Sequence, residues 1–91
     1  MRRVLLVGGG RSGQAFLDVV HRIKPSPYIL VGIIDDDPEK ANLVIGDLPV
    51  IGKSESLLAI IEERKITDLI VAITGEMRGG MFQALLDAQE Q

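Results

Sequence analysis

Three features of this 91-residue sequence predict an α/β fold built on a doubly wound parallel sheet. An apolar strand at residues 3–7 runs directly into a Gly-x-Gly-x-x-Gly motif formed by Gly8, Gly10 and Gly13. A stretch with helical periodicity follows, and then a second apolar strand that ends at Asp35. With only two Phe, one Tyr and no Trp, the core has to be built from Val, Ile and Leu. This composition is typical of strands that are buried on both faces.

The remaining elements alternate between strands and helices. Periodicity predicts strands at residues 3–7, 28–34, 49–51 and 68–74, and helices at residues 11–23, 55–65 and 78–89. Asp37 and Pro38 are placed to open a short helical turn, Ser54 is placed to cap the second helix, and residues 41–48 are expected to be irregular. The residues expected on the buried faces of the helices are Ala15, Phe16, Val19, Val20, Ile23, Leu57, Leu58, Ile61, Met81, Phe82, Leu85 and Leu86. The alternation implies right-handed crossovers, so we expect a truncated Rossmann-like sheet of about four strands in the order 3-2-1-4.

The composition describes one small domain, residues 1–91, and excludes several classes of function. The net charge is −3 and no long cluster of Lys and Arg is present, so a nucleic-acid partner is not expected. The absence of Cys excludes disulfides and thiolate metal sites, and it fits a cytoplasmic protein. No apolar run approaches the ~20 residues that span a bilayer. Because the sequence ends inside a predicted helix, we expect it to be a fragment of a larger protein.

The glycine motif predicts a phosphate-binding loop. Gly8 permits the tight turn out of the strand, Gly10 lets the backbone approach a pyrophosphate, and Gly13 lets the helix pack close to the sheet. Gly9 and Ser12 offer a further backbone donor and a hydroxyl group, and the helix N-terminus favours negative charge. Arg11 either neutralises the phosphates or is an ordinary surface arginine. The competing interpretation of the whole loop is a glycine-rich turn that binds no ligand.

The acidic residues after the second strand predict which nucleotide binds. Asp35 lies about twenty residues after Gly13, where an acid accepts hydrogen bonds from adenosine ribose hydroxyls, and Asp36 is its neighbour. A ribose phosphate would be repelled there, by an upper-end figure of about 4 kcal/mol for like charges about 4 Å apart at an intermediate dielectric. We therefore expect NAD as the ligand in preference to NADP, with CoA and UDP-sugars as alternatives.

Residues after the last strong strand complete the predicted site, and no catalytic group accompanies it. Thr74 and Gly75 follow the strand at its carboxyl end, which faces the ligand crevice in open α/β sheets. The alternative is an ordinary turn between a strand and a helix. His21 is the only histidine and is expected on the outer face of its helix, and Tyr28 has no Lys four residues later. The sequence predicts no catalytic residue and no metal site.

Several segments together resemble a known family. The resemblance lies in residues 3–13 and 66–72, in Asp-Asp-Asp-Pro at 35–38 and in Leu-Pro-Val-Ile-Gly at 48–52. These segments resemble the Rossmann-type domain, often labelled CoA-binding, of bacterial polysaccharide-biosynthesis proteins. In such proteins it precedes a nucleotide-sugar 4,6-dehydratase or epimerase domain or a polyprenyl-phosphate sugar transferase, and a similar domain opens certain sugar acyltransferases. The resemblance implies nucleotide-sugar metabolism, on the inner face of the plasma membrane in some parent proteins.

Three hypotheses follow for the function. The chain is a nucleotide-binding module of a nucleotide-sugar-modifying enzyme, a domain that senses NAD(H), CoA or a UDP-sugar, or an interaction piece whose glycine loop is structural. The expected partners are a nucleotide ligand and the catalytic domain that would follow in the parent protein. The strand at residues 68–74 is expected at the sheet edge with little charge to discourage pairing, so a homo-oligomer through this edge is also expected.

Overall fold

The computed structural model describes residues 2–26, 28–73 and 79–90. The strands are β1 (Arg2–Val7), β2 (Tyr28–Ile34), β3 (Val44–Ile45), β4 (Leu48–Gly52) and β5 (Asp68–Val71), and the helices are α1 (Arg11–Val20), α2 (Leu57–Arg64) and α3 (Gly79–Gln89). Two short 3-10 turns, Pro38–Lys40 and Ser54–Ser56, precede β3 and α2. The alternation of strands and helices that the sequence predicts is therefore present.

The sheet contains five strands in the order β3-β4-β2-β1-β5 within the described chain. Strands β4, β2, β1 and β5 are parallel and keep the predicted 3-2-1-4 arrangement, with β4 as the third predicted strand. The expectation of about four strands is corrected by β3, which pairs antiparallel with β4. Residues 41–48, expected to be irregular, contain this hairpin because Gly46 and Asp47 both take positive φ, at 56° and 65°. Two such residues suit a tight hairpin turn.

The core lies on both faces of the sheet, as a doubly wound fold requires. Residues 4–7 of β1 are fully buried, and alternate side chains point to opposite faces. On one face, Leu5 and Val7 belong to a cluster that includes Leu57 of α2 and Met81 of α3. On the other face, Leu6 packs in a second cluster with residues of α1, β2 and β4. The helices on the two faces therefore hold β1 and its carboxyl end rigidly in place.

The buried face of α1 differs from the predicted face. Gly13, Leu17 and Val20 are buried, whereas Val19 is 58% exposed and Ile23, which lies beyond the end of the helix, is 45% exposed. The prediction was therefore right for Val20 and wrong for Val19 and Ile23. The helix is rotated to place Gly13 against the glycine loop, and the buried positions follow from Gly13 at helical spacing.

Helices α2 and α3 show similar differences at single positions. Leu57 is buried and Leu58 is 39% exposed, and Ile60 takes the second buried position of α2. In α3, Met81 is buried as expected, but Phe82 is 56% exposed. Among the described residues, no side chain caps α2 or the 3-10 turn that precedes it, so the predicted capping role of Ser54 is wrong. No helix in the described part of the chain is both long and apolar enough to cross a bilayer.

Candidate functional site

The glycine loop begins at the carboxyl end of β1, in the middle of the sheet. Gly8 has φ of +110°, and its N–H donates to the carbonyl oxygen of Ile34 at 2.9 Å. A Cβ at Gly8 would lie 2.5 Å from the carbonyl oxygen of Ala72. Position 8 therefore requires glycine for two structural reasons, a backbone conformation that other residues avoid and a close approach to the chain after β5.

Gly10 and Gly13, the other two glycines of the motif, have different surroundings. A Cβ at Gly13 would overlap the carbonyl oxygen of Gly8, so this glycine permits close packing of α1 on the loop. A Cβ at Gly10 would meet no atom of the described residues within 4 Å, and its φ of −85° suits any residue. Packing therefore explains Gly8 and Gly13 but not Gly10, which is the N-cap of α1, a position where glycine is accepted but Ser, Asn and Asp are preferred.

The N-terminus of α1 follows directly, with Gly10 as its N-cap. Gln14 donates its N–H to the carbonyl oxygen of Gly10 at 2.9 Å, which closes the first helical turn. Among the described residues, no side chain caps this helix, and its first turn contains no acid. The first N–H groups of a helix have no partner within the helix and carry its positive dipole end. This corner therefore favours an anionic group.

The acidic turn after β2 is tied to the glycine loop by hydrogen bonds. Asp35 accepts the N–H of Gly9 on Oδ2 at 2.8 Å and the N–H of Asp37 on Oδ1 at 2.9 Å. Asp36 accepts the N–H of Ser54 on Oδ1 at 2.7 Å, which joins the acidic turn to the segment after β4. Both carboxylates thus hold backbone groups of neighbouring loops, a role that the sequence did not indicate.

Asp37 is the cap that the sequence predicts. Its Oδ1 accepts the N–H of Glu39 at 2.9 Å, and Pro38 occupies the first position of the 3-10 turn. Its Oδ2 lies 3.1 Å from Nζ of Lys40, whose side chain is 29% exposed. The hydrogen bond with Asp37 raises the pKa of Lys40, the negative charge of Asp35 adds to this effect, and partial burial opposes it. A protonated lysine is therefore held at this turn.

An open cavity of about 350 Å³ joins the glycine loop, the acidic turn and the end of β5. Its lining residues are Gly8, Gly10, Arg11, Ser12, Ile34, Asp35, Asp36, Asp37, Pro38, Lys40, Ala72, Ile73 and Met81. This volume lies near the lower end of the ~300–1,000 Å³ that is usual for small-molecule sites. A second cavity of about 190 Å³ lies on the other side of Asp35 and is bordered by Asn42, Lys53 and Ser56 among others.

The cavity brings together most of the residues that the sequence predicts for the site. Gly9 and Gly13 do not line it, because Gly9 is bonded to Asp35 and Gly13 packs beneath the loop. Thr74 and Gly75 lie outside the described residues. Sequence reasoning did not assign Ala72, Ile73 or Met81 to the site. The first two follow from the position of β5 beside β1, and nothing in the local sequence of α3 indicates that Met81 reaches the cavity.

The described residues offer no arrangement that indicates catalysis. His21 is exposed and lies at the C-terminal end of α1, whereas the glycine loop lies at its N-terminal end. No group of three or more His, Cys, Asp or Glu side chains among the described residues is placed to hold a metal ion. The geometry supports binding of an anionic ligand.

Similar sequences connect the chain to polysaccharide biosynthesis. A family model described as the PglD N-terminal domain matches residues 3–78. The chain is also 37% identical, over 71 residues, to the probable polysaccharide biosynthesis protein EpsC of Bacillus subtilis (strain 168). This alignment covers 78% of the chain and 12% of EpsC, so the chain spans about an eighth of that relative's length.

Similar solved structures share the Rossmann-like fold. The Rex-family repressor RSP has a TM-score of 0.78 and 26% identity, over 97% of this chain and 41% of RSP. RSP in complex with β-NADH has a TM-score of 0.76 at the same identity, over 97% of this chain and 42% of that chain. UDP-D-quinovosamine 4-dehydrogenase from Vibrio fischeri has a TM-score of 0.78 at 18% identity, over 98% of this chain and 70% of the enzyme, and this likeness shows the fold alone.

Proposed function

The chain belongs to the PglD N-terminal domain family, and we propose that it is the nucleotide-binding module of a nucleotide-sugar-modifying protein in polysaccharide biosynthesis. One observation carries the proposal. Gly10 is a glycine without a packing reason, and it lies where an uncapped helix N-terminus meets an open cavity. A ligand that approaches the backbone at this corner explains why a side chain is absent.

The chemistry of the cavity supports a nucleoside diphosphate. Arg11 and Lys40 supply positive charge beside the helix N-terminus, and Ser12 supplies a hydroxyl group. Asp36 lines the same cavity, and one of its carboxylate oxygens is bonded to Ser54, so its other oxygen can accept a ribose hydroxyl. The diphosphate would then lie at the glycine loop and the ribose at the acidic turn.

NAD is the leading ligand within this class. The three consecutive acids at residues 35–37 disfavour a phosphate on the ribose, which argues against NADP and CoA. The similar structure of RSP was solved in complex with β-NADH, which supports a dinucleotide in a fold of this kind. The cavity of about 350 Å³ suits one nucleotide half of such a ligand, and a UDP-sugar is the alternative.

The proposed parent protein is a nucleotide-sugar dehydratase or epimerase, in which another domain supplies catalysis. The similarity to EpsC, of which this chain spans 12%, supports a larger parent protein. The second candidate function is a ligand-sensing domain of a polyprenyl-phosphate sugar transferase or a sugar acyltransferase. The similarity to a repressor favours it, because a repressor is a regulatory protein. Both functions place the site in the cytoplasm, on the inner side of the membrane if the parent protein is attached to one.

A thermal-denaturation panel with NAD, NADP, CoA and a UDP-sugar tests the proposal. A ligand at a hundredfold excess over its Kd stabilises the folded state by about 2.7 kcal/mol. For a domain of this size the midpoint should then rise by about 10–20 °C. We expect NAD to give the largest rise and NADP a smaller one. If no nucleotide shifts the midpoint, the glycine loop is a structural turn and the proposal fails.

A further inference from the structure

We propose that Asp35 acts as a positioning residue, whose carboxylate holds the glycine loop in the shape that receives phosphate. This inference rests on the proposed function, and it differs from the sequence-based expectation that Asp35 binds ribose directly. Three observations support it: the contacts of the carboxylate, the composition of the loop that it holds, and the contrast with Asp36.

The carboxylate of Asp35 bridges two loops at the carboxyl edge of the sheet. Oδ2 accepts the N–H of Gly9 at 2.8 Å, and Oδ1 accepts the N–H of Asp37 at 2.9 Å. The backbone N–H of Asp35 itself donates to the carbonyl oxygen of Gly52 at 3.1 Å. The side chain is therefore fixed at both oxygens and at its own backbone. Hydrogen bonds to an ionised carboxylate are roughly twice as strong as neutral ones.

The loop that it holds has little shape of its own. Three consecutive glycines, at residues 8–10, have more conformational freedom than any other tripeptide, so contacts from outside have to select one conformation. Gly9 is enclosed by such contacts, since a Cβ there would lie 3.3 Å from Oδ2 of Asp35 and 3.1 Å from Cδ1 of Ile45. Asp35 supplies the hydrogen bond and the β3 hairpin supplies the apolar wall. Binding to an ordered loop avoids the entropic cost of ordering it.

The neighbouring Asp36 offers a matched control. It borders the same cavity and also accepts one backbone N–H, but that N–H belongs to Ser54 and not to the glycine loop. Substitution of either acid by Asn removes one negative charge from the lining of the same cavity. Asn has one acceptor oxygen and an NH2 group in place of the second oxygen. In Asp35→Asn, one of the two N–H groups that Oδ1 and Oδ2 now accept, that of Gly9 or that of Asp37, therefore faces a donor, and the other is bonded to a neutral oxygen. The two variants therefore separate the effect of charge from the effect of the hydrogen bond to Gly9.

The first measurement needs no ligand. Amide hydrogen exchange at Gly9 is followed by NMR in the wild-type protein and in the Asp35→Asn and Asp36→Asn variants. We expect exchange at Gly9 to be at least about tenfold faster in Asp35→Asn, because the charge-assisted hydrogen bond is either lost or replaced by a weaker neutral one, and unchanged in Asp36→Asn. The Ala72 N–H, bonded to the carbonyl oxygen of Val7 at 2.8 Å, reports that the sheet is intact in each variant. An unchanged Gly9 rate in a folded Asp35→Asn protein overturns the inference.

The second measurement uses inorganic pyrophosphate, which has no ribose, in an NMR titration that follows the Gly10 amide. If Asp35 positions the loop, Asp35→Asn weakens pyrophosphate binding by at least about threefold even though it removes a repulsive charge. Because pyrophosphate lacks the ribose that Asp36 is proposed to bind, Asp36→Asn should leave the affinity for pyrophosphate equal or make it higher. If Asp35 is instead a ribose ligand, Asp35→Asn also leaves pyrophosphate binding equal or tighter, and the inference is wrong.

The two measurements keep this inference separate from the proposed function. If pyrophosphate does not bind the wild-type protein, the phosphate site fails, while Gly9 exchange still decides whether Asp35 holds the loop. If Asp35→Asn does not fold, Asp35→Glu replaces it, because this change keeps the charge and the added methylene group displaces the carboxylate from the position in which it accepts the Gly9 N–H. We expect faster Gly9 exchange and weaker pyrophosphate binding in that variant as well, and wild-type values in both measurements would overturn the inference.

Discussion

Replacement of Gly10 by Val should remove nucleotide binding and leave the protein folded. In the part of the chain that the structure describes, no atom would lie within 4 Å of a Cβ at Gly10, and the backbone there, with φ of −85° and ψ of −155°, is extended. Because Val is a poorer helix N-cap than glycine, Gly10→Val should lower the free energy of unfolding by at most about 1 kcal/mol. The midpoint of thermal denaturation should therefore fall by no more than about 8 °C.

The expected loss of affinity follows from the position of the new side chain. A branched side chain at Gly10 occupies the corner where the diphosphate approaches the first N–H groups of α1. Loss of even one hydrogen bond to a charged group costs about 1.5–3 kcal/mol, which is a tenfold to hundredfold weaker Kd. Titration calorimetry with the nucleotide that stabilises the wild-type protein measures this change.

Gly13→Ala is the matched control, because it alters the same motif for a different physical reason. Its Cβ would overlap the carbonyl oxygen of Gly8, so the helix or the loop has to move. We expect a loss of about 3 kcal/mol or more, at the upper end of overpacking costs, and a midpoint lower by about 12–24 °C. A folded Gly10→Val protein with unchanged affinity would refute the phosphate site, and an unfolded one would refute the steric argument.

Three further predictions concern the Lys40 ion pair, the edge strand β5 and the turn at Gly46. Lys40→Gln should change the free energy of unfolding by less than about 1 kcal/mol in urea denaturation near neutral pH, since both partners of the ion pair are partly exposed, but it should weaken NAD binding. Because the pKa of Lys40 is raised, the contribution of the pair is fully present below the ordinary value of 10.5 and is lost as the pH rises through the raised pKa. The wild-type chain should associate through the edge strand β5 at high concentration. Sedimentation should show less association for Val71→Lys, in β5, than for Val19→Lys, a similarly exposed control on α1. A wild-type chain that stays monomeric would contradict this prediction. Gly46→Ala should lower the free energy of unfolding by about 1–2 kcal/mol, because φ at this position is +56° and the new Cβ would lie 2.9 Å from Cδ1 of Leu17. An unchanged midpoint of urea denaturation would show that the β3–β4 turn does not require glycine.

Local patterns predicted the elements and the centre of the site. Short-range preferences account for the strands of buried β-branched residues, the glycine motif at the first turn and the acid at the end of the second strand. The order of the four parallel strands was predicted from the fold class that these elements indicate. The distinct roles of Gly8 and Gly13 followed from the same reasoning, and the structure shows the close contacts that each one permits. Asp37 as a cap is a further local feature, since it binds the N–H two residues away.

The rotation of each helix and the hydrogen-bond partners of the acids depended on the tertiary structure. Leu17 rather than Val19 is buried in α1 because Gly13 is pressed against the loop, and periodicity alone cannot choose between two neighbouring stripes.

The sequence by itself determined the type of fold, the place of the phosphate loop and the acidic character of the turn beside it, because these depend on residues close together in the chain. Only the tertiary structure decided what the acids bind and which residues enclose the cavity. Asp35 holds Gly9 across 26 residues of sequence, and Met81 of α3 reaches the cavity beside the glycine loop. Such contacts depend on how strands and helices pack against one another, and no local preference of the chain encodes that packing.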